Sequence, residues 1–198
     1  PLLDDVRASI GAIELPDGYR LEWWGEYNSS GEAQAALAGK IPMFVVMMIL
    51  ITIALFNDLR QTAVIWLVVP LAVIGVTVGL LLTHQPFGFM AMLGFLSLSG
   101  MLIKNAIVLI DEINLQLREG KNPFDAIVDS GVSRVRPVSM AALTTVLGMI
   151  PLLADAFFVA MAVTIAVGLG FATVLTLIIV PVLYTVFFRI PSPRPAKA

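Results

Sequence analysis

Residues 137–188 contain a single charged side chain, Asp155, within an otherwise apolar stretch. A helix crosses the hydrocarbon core of a membrane in about 20 residues, so this stretch is long enough for two crossings that turn near residues 151–155. Of the whole chain, 59% is hydrophobic and 13% is charged, whereas soluble domains carry roughly 25% charged residues. The sequence therefore predicts a membrane protein.

Three further apolar stretches precede this one, and polar or charged residues separate them. The first ends before Asp58, the second ends before His84, and the third is interrupted only by Lys104 and ends at Asp111. Together with the two crossings above, they predict an all-α membrane protein with five transmembrane helices. The predicted crossings are residues 41–57, 61–83, 87–114, 137–153 and 158–188.

A shorter cytoplasmic loop helix is predicted at residues 122–134, between the third and fourth crossings. Asn122 can cap its N-terminus, Pro123 fits its first turn, and Asp125 completes a capping box. We expect this helix to lie along the membrane surface and to fix the ends of the two crossings.

The N-terminal residues are acidic and much less apolar than the rest of the chain. Residues 2–13 have helical spacing, residues 15–18 predict a turn, and residues 19–24 alternate as a strand does. One helix and one strand cannot bury a core by themselves. We therefore expect a small α/β remnant of a larger domain. The predicted domains are residues 1–36 for this remnant, 37–190 for the helical bundle and 191–198 for a cytoplasmic tail.

Basic residues lie in alternate loops, which predicts the orientation of the chain. The loops after the first, third and fifth crossings carry lysine or arginine, whereas the loops at 83–86 and 153–156 carry neither. Loops rich in lysine and arginine remain in the cytoplasm. We therefore expect a cytoplasmic C-terminus and an N-terminal segment on the periplasmic or extracellular side.

The composition excludes several kinds of functional site. One histidine, His84, and no cysteine cannot build a thiolate or multi-histidine metal site, or a Cys/His nucleophile pair. A net charge of −2 provides no basic face for nucleic acid. We expect no enzymatic activity, no cofactor, no metal site and no nucleic-acid partner.

Lys104 is the charged residue that the pattern places inside the hydrocarbon core. A lysine in mid-helix costs about 2.5–3.5 kcal/mol on insertion scales, so it normally faces protein or water and has a partner. At 100° per residue, Ser97, Gly100 and Asp111 lie within about 40° of Lys104, which predicts a polar stripe on this helix. No other predicted crossing contains a carboxylate, so a partner would come from outside the chain.

Two simpler interpretations of Lys104 are also compatible with the sequence. Its side chain could extend past Ile110, over about 9 Å, towards the headgroups of the lipids. It could instead form a fixed ion pair with Asp111, although the Cα atoms would be about 10 Å apart. In either case the chain would be a purely structural membrane fragment.

Small residues predict where helices approach closely, because apolar burial does not drive helix association inside a membrane. Gly75 and Gly79 form a GxxxG pattern, and small residues recur on single faces of the last two crossings. The predicted helix-packing positions are Gly75, Gly79, Gly100, Gly148 and Gly168.

Several motifs resemble those of the resistance-nodulation-division exporters of the acriflavine-resistance type. The run Gly100–Asp111, with Lys104–Ile107 (Lys-Asn-Ala-Ile) at its centre, is similar to the tenth transmembrane helix of that family. Arg134–Pro137 (Arg-Val-Arg-Pro) resembles the start of the eleventh helix, Val180–Val182 resembles part of the twelfth, and residues 15–19 resemble the last strand of the periplasmic porter domain. The resemblance covers nearly the whole chain and implies helices 8 to 12 of such a pump.

The resemblance implies an inner-membrane pump that exports hydrophobic and amphiphilic drugs by proton antiport. Such pumps are homotrimers that work with a periplasmic adaptor protein and an outer-membrane channel. In the family, two aspartates of the fourth helix face a lysine of the tenth helix, which corresponds to Lys104. The main partner of this chain would then be the remainder of the same transporter, which carries that aspartate pair.

The resemblance also implies supporting roles in the relay. Arg134 matches an arginine near the cytoplasmic mouth of the proton path, although an anchor at the membrane surface fits it equally well. Many members have a threonine where this chain has Ala141, so Thr144, Thr145 or water would have to supply the hydroxyl. The expected relay-supporting residues are Ser97, Asn105, Arg134, Thr144 and Thr145.

The sequence indicates the class of substrate less specifically than it indicates the family. Metal exporters of the family generally lack the Lys-Asn pair found at Lys104 and Asn105, so the resemblance favours drugs over metal ions. An alternative function is that of an accessory membrane subunit in protein translocation, which would share a similar helix architecture. The Lys-Asn-Ala-Ile and Arg-Val-Arg-Pro motifs favour the exporter.

Overall fold

The computed structural model describes residues 26–191, together with Val6, Ile10 and Pro16. The described residues form five long helices and a short 3-10 helix, and they contain no strand. Each of the five is long and apolar enough to cross a membrane, so the predicted all-α fold with five apolar helices is confirmed. The helices are α1 (Glu26–Phe56), α2 (Leu59–Leu82), α3 (Phe89–Arg118), α4 (Pro123–Met149) and α5 (Val159–Phe187), and the 3-10 helix is Ile150–Ala154.

The predicted α/β remnant receives no support from the structure. Its strand at residues 19–24, and almost all of the helix and turn before the strand, lie outside the described residues. Residues 26–36 of the predicted remnant are helical, and their helix continues into the membrane domain.

The first helix begins much earlier than the predicted start at residue 41. It begins at Glu26, passes the predicted domain boundary after residue 36, and continues through Pro42. Residues 32–38 are mostly alanine, glutamate, glutamine and leucine, which are strong helix formers, so the helix forms there although the segment is not continuously apolar. The change in hydropathy therefore does not coincide with the start of the helix.

The prediction of two separate elements, a loop helix at 122–134 and a fourth crossing at 137–153, was wrong. They form the single helix α4, which contains Pro137 in its interior. Proline removes one backbone hydrogen bond but does not always end a helix. The predicted start is correct, because the Asn122 side chain accepts a hydrogen bond from the Phe124 N–H at 3.3 Å. The other three predicted helices agree with the observed bounds to within about one turn.

Four helices end at residues with left-handed backbone. Asn57, His84 and Arg189 have φ angles of 50°, 54° and 49°, and Gly120 has a φ of 82°. A residue in this conformation turns the chain away from the helix axis and allows the last carbonyls to be paired. The connections after α1, α2 and α3 are therefore short and tightly turned.

The centre of the bundle is α5. It packs against α2, α3 and α4 within the compact unit Val46–Ala198. In contrast, α4 lies at the outside and leaves side chains such as Val132, Met140 and Leu147 exposed. This arrangement suits a bundle whose outer surface meets lipid or further protein.

Glycines set the closest helix contacts. A Cβ atom added at Gly75 would lie 2.7 Å from the Phe171 Cβ, and one at Gly168 would lie 2.5 Å from the Leu98 Cδ2. At Gly79 the nearest side-chain carbon of α5 would lie at 2.8 Å. Side chains are therefore sterically excluded where α2 and α3 cross α5.

The other predicted packing glycines lie elsewhere. No heavy atom of the described residues outside their own helix backbone lies within 4 Å of a Cβ added at Gly100 or Gly148, and both glycines are exposed. Their packing role stays a prediction about a neighbour beyond this chain. Gly94, which the sequence analysis did not select, approaches the Met161 carbonyl oxygen, 3.0 Å from an added Cβ.

We expect Gly75→Ala to destabilise the protein by about 1–3 kcal/mol, because overpacking forces helices apart. Gly170→Ala is the matched control, since no heavy atom lies within 4 Å of its added Cβ. Both variants gain the same helix propensity, so their difference reports the steric effect. Thermal unfolding of the full-length protein in detergent measures it, and equal unfolding temperatures would contradict the packing described here.

Candidate functional site

The second half of α3 exposes one continuous stripe of residues and buries the opposite face. Leu98, Leu102 and Leu109 lie in the core, at 0–2% exposure. The exposed residues follow each other at intervals of three, four or seven positions, which places them on a single helical face. From residue 97 onwards they are Ser97, Gly100, Lys104, Asp111, Leu115 and Arg118.

Lys104 lies on this stripe and points away from the core of the bundle. It forms no ion pair or hydrogen bond with any described residue. The fixed ion pair with Asp111 that the sequence left open is absent. The ammonium group is therefore available to a partner outside the described part of the chain.

The expected supporting residues on α3 and α4 differ in their surroundings. Ser97 is exposed on the same stripe as Lys104, whereas Asn105 is half-buried. The hydroxyls of Thr144 and Thr145 each donate to the Ala141 carbonyl oxygen at 2.9 Å. Each hydroxyl oxygen retains acceptor capacity, but its proton is already used within α4.

Arg134 is held by a partner that the sequence analysis missed. Its Nη2 donates to the Glu112 Oε2, and this ion pair joins α4 to α3. The Glu112 Oε1 also accepts a hydrogen bond from the Gln116 Nε2 at 3.1 Å. The sequence predicted the end of the third apolar stretch at Asp111 and gave no role to Glu112, although consecutive residues point about 100° apart on a helix.

A second missed feature is a polar cluster of three helices formed by Gln61, Asn114 and Tyr184. The Asn114 Nδ2 donates to the Gln61 Oε1 at 2.9 Å, and the Gln61 Nε2 donates back to the Asn114 Oδ1 at 3.3 Å. The Tyr184 hydroxyl donates to the same Oδ1 at 3.2 Å. The cluster ties α3 to α2 and α5 near the Arg118 end. The signal in the sequence that could have predicted this cluster is an uncharged polar residue near one end of each of three apolar stretches.

We expect Asn114→Ala to destabilise the protein by about 1–3 kcal/mol, because it leaves a buried amide and a buried hydroxyl unpaired. Tyr184→Phe removes one hydrogen bond and leaves the Asn114–Gln61 pair intact, so its cost should be near 0.6 kcal/mol, the average for interhelical bonds in a membrane. Thermal unfolding in detergent compares the two variants. A larger cost for Tyr184→Phe than for Asn114→Ala would contradict the central position of Asn114.

Within the described residues, no group of three or more His, Cys, Asp or Glu side chains is placed to hold a metal ion. The charged groups described above are instead single residues, or pairs such as Arg134 with Glu112.

Comparison with known proteins identifies the family. The model of the AcrB/AcrD/AcrF family matches residues 3–188. The chain belongs to the AcrB/AcrD/AcrF family. The resemblance to resistance-nodulation-division exporters is therefore confirmed, and it includes the helix that carries Lys104.

Two resistance proteins and an efflux pump of known structure are similar to most of this chain. The nickel and cobalt resistance protein CnrA of Cupriavidus metallidurans is 34% identical over 187 residues, which cover 91% of this chain and 17% of CnrA. The multidrug resistance protein MdtF of Escherichia coli is 30% identical over 183 residues, which cover 87% of this chain and 17% of MdtF. The crystal structure of a heavy metal efflux pump matches with a TM-score of 0.73 and 32% identity, covering 94% of this chain and 19% of that chain.

This AcrB/AcrD/AcrF chain thus spans about 17% of the length of its curated relatives. Its similarity extends to proteins named for metal resistance and to a protein named for multidrug resistance. The efflux family is therefore established, whereas the preference for drugs that the sequence favoured is not confirmed.

Proposed function

We propose that this chain is part of a proton-driven efflux pump of the bacterial inner membrane, to which it supplies Lys104 as a member of the proton relay. The observation that carries the proposal is an exposed lysine in the middle of α3 that forms no ion pair or hydrogen bond with any described residue. Membership of the AcrB/AcrD/AcrF family supports it. The resemblance implies that two aspartates on a helix beyond this chain are the partners.

The physical basis of such a relay is the cost of an unpaired charge in hydrocarbon. An ammonium group at mid-helix is stable only beside a counter-charge or water. When a proton neutralises a facing carboxylate, Lys104 loses that counter-charge and is drawn towards another acceptor. A local change of charge can thereby shift the packing between two sets of helices.

The supporting residues take different parts in this proposal. Ser97 and Asn105 can hydrogen-bond to the partner helix, and the Thr144 or Thr145 oxygen can accept a hydrogen bond from water near the relay. The ion pair of Arg134 with Glu112 favours a positioning role, in which it holds α4 beside the helix of Lys104. Arg134 then orders the proton path without carrying protons itself.

Basic residues at the helix ends support an orientation. Arg60 lies in the first turn of α2, Arg118 and Lys121 flank the end of α3, and Arg189, Arg194 and Lys197 follow α5. These ends and the C-terminus are proposed to be cytoplasmic, with the N-terminal segment periplasmic. The remainder of the transporter would complete the bundle. Assembly as a homotrimer with a periplasmic adaptor protein and an outer-membrane channel is part of the same proposal.

Hydrophobic and amphiphilic drugs are the first candidate substrates, because of the Lys-Asn pair at 104–105. Divalent metal ions are the second candidate, because CnrA, named for nickel and cobalt resistance, is 34% identical to this chain. The family match favours either substrate over the accessory role in protein translocation that the sequence left open.

A growth assay separates the two substrate classes. The full-length pump, with its adaptor and channel, is produced in a bacterial strain that lacks its own pumps of both kinds. Increased resistance to cationic dyes and detergents, with unchanged sensitivity to nickel and cobalt, supports drug export. The reverse pattern would contradict it and establish metal export.

We expect Lys104→Met in the full-length pump to reduce efflux to the level of a strain without the pump, while the protein still inserts and assembles. Removing the ammonium group leaves the facing carboxylates without their counter-charge, so protonation no longer changes the helix packing. Lys121→Met is the matched control. Lys121 lies in the loop before α4, away from Lys104, and its ammonium group pairs with Asp129 on α4. Efflux at the wild-type rate in Lys104→Met would refute the relay, and loss of efflux in both variants would indicate a general structural effect.

A further inference from the structure

A cavity of about 310 Å³ lies between the end of α1 and the second half of α3. Part of its wall is apolar and consists of Leu55 and Phe56 from α1 and Ile107 and Val108 from α3. The polar part of the lining comes from α3 alone. It consists of Asp111, Asn114 and Arg118.

The polar lining leaves Asp111 as the free proton-accepting group of the cavity. The Asn114 amide is already engaged by Gln61 and Tyr184. Asp111 and Arg118 are exposed and form no ion pair with any described residue. A cavity with polar groups and this volume has room for roughly ten water molecules at about 30 Å³ each.

The cavity extends to within one helical turn of Lys104. Ile107 in its wall lies about 4.5 Å from Lys104 along the axis of α3, at 1.5 Å per residue. Asp111 lies about 10 Å along the axis and on the same exposed stripe as Lys104. A few water molecules are enough to connect the carboxylate with the surroundings of the ammonium group.

We propose that this cavity is the aqueous path by which protons leave the Lys104 site towards the Arg118 end of the bundle, with Asp111 as the carboxylate that carries them. A proton released beside Lys104 passes through water to the ionised Asp111, which becomes a carboxylic acid. Asp111 then gives the proton to cavity water and returns to its ionised form. The inference rests on the proposed role of Lys104 and assigns the exit from that site.

Accessibility to a charged thiol reagent tests whether the cavity contains water. The chain has no cysteine, so Ile107→Cys places a single thiol of this segment in the wall of the cavity. Ile178→Cys is the control, because Ile178 is 59% exposed on α5 and lies about as far before the end of its helix as Ile107 does. Both are made in the full-length pump without other reactive cysteines, in inside-out vesicles.

We expect a membrane-impermeant, charged methanethiosulfonate to modify Ile107→Cys at least tenfold faster than Ile178→Cys. Ile178 has the more exposed side chain but would face lipid, so exposure alone predicts the opposite order. Equal or slower modification at residue 107 would overturn the aqueous path, whatever the activity of the pump.

Substitution of Asp111 tests its part as a proton carrier. We expect Asp111→Asn to slow proton flux and drug or metal efflux several-fold together, and Asp111→Glu to restore most of both. Asp125→Asn is the control, because Asp125 is an exposed acid in the first turn of α4 and does not line the cavity.

Comparison with Lys104→Met distinguishes failure of the proposed relay from failure of the proposed exit path. If Lys104→Met abolishes efflux while Asp111→Asn retains the wild-type rate, the exit path is wrong and the relay stands. If Asp111→Asn and Asp111→Glu are equally slow with normal assembly, restoring a carboxylate does not restore proton flux, and the proton-carrying role is overturned.

Discussion

An ammonium group in hydrocarbon needs a counter-charge or water beside it. This constraint bears on which face of α3 packs into the bundle and which face points outwards. Its apolar face is buried in the bundle, so the polar stripe with Lys104 must face outwards. The stripe would be costly against lipid, at about 2.5–3.5 kcal/mol for the lysine alone. In the proposed pump, the surface that carries Lys104 therefore faces further protein or water.

Contacts with α2, α4 and α5 hold α3 in the bundle, and the stripe lies outside these contacts. Gly94 allows α3 to approach α5 closely at one end, and Asn114 ties it to α2 and α5 towards the other. Glu112 joins it to Arg134 of α4. A change of charge at Lys104 would then act on α2, α3 and α5 as one packed group and not on a single side chain.

Hydropathy and helical periodicity were sufficient for the five apolar helices and for the polar stripe. Both depend on the order of residues along one helix, which the sequence contains directly. The start of α1 and the continuity of α4 were mispredicted, because polar residues and Pro137 indicate entry into the membrane but do not end a helix. Neither feature breaks enough backbone hydrogen bonds to do so.

The contacts between helices could not be predicted from the sequence of each apolar stretch taken alone. The pairs of Arg134 with Glu112 and of Asn114 with Gln61 depend on how the helices are rotated and spaced, and many rotations fit the same hydropathy. The counter-charge of Lys104 is a different case, because no described residue provides it. The chain spans about 17% of its curated relatives, and the rest of such a protein is where that group would lie.

In the proposed mechanism, the charge of Lys104 couples proton movement to export. The most direct measurement is the ratio of protons to substrate molecules transported by the purified full-length pump in liposomes under an imposed pH gradient. We expect a fixed ratio in the wild type and the loss of both fluxes in Lys104→Met. An unchanged ratio with both fluxes intact in that variant would contradict it.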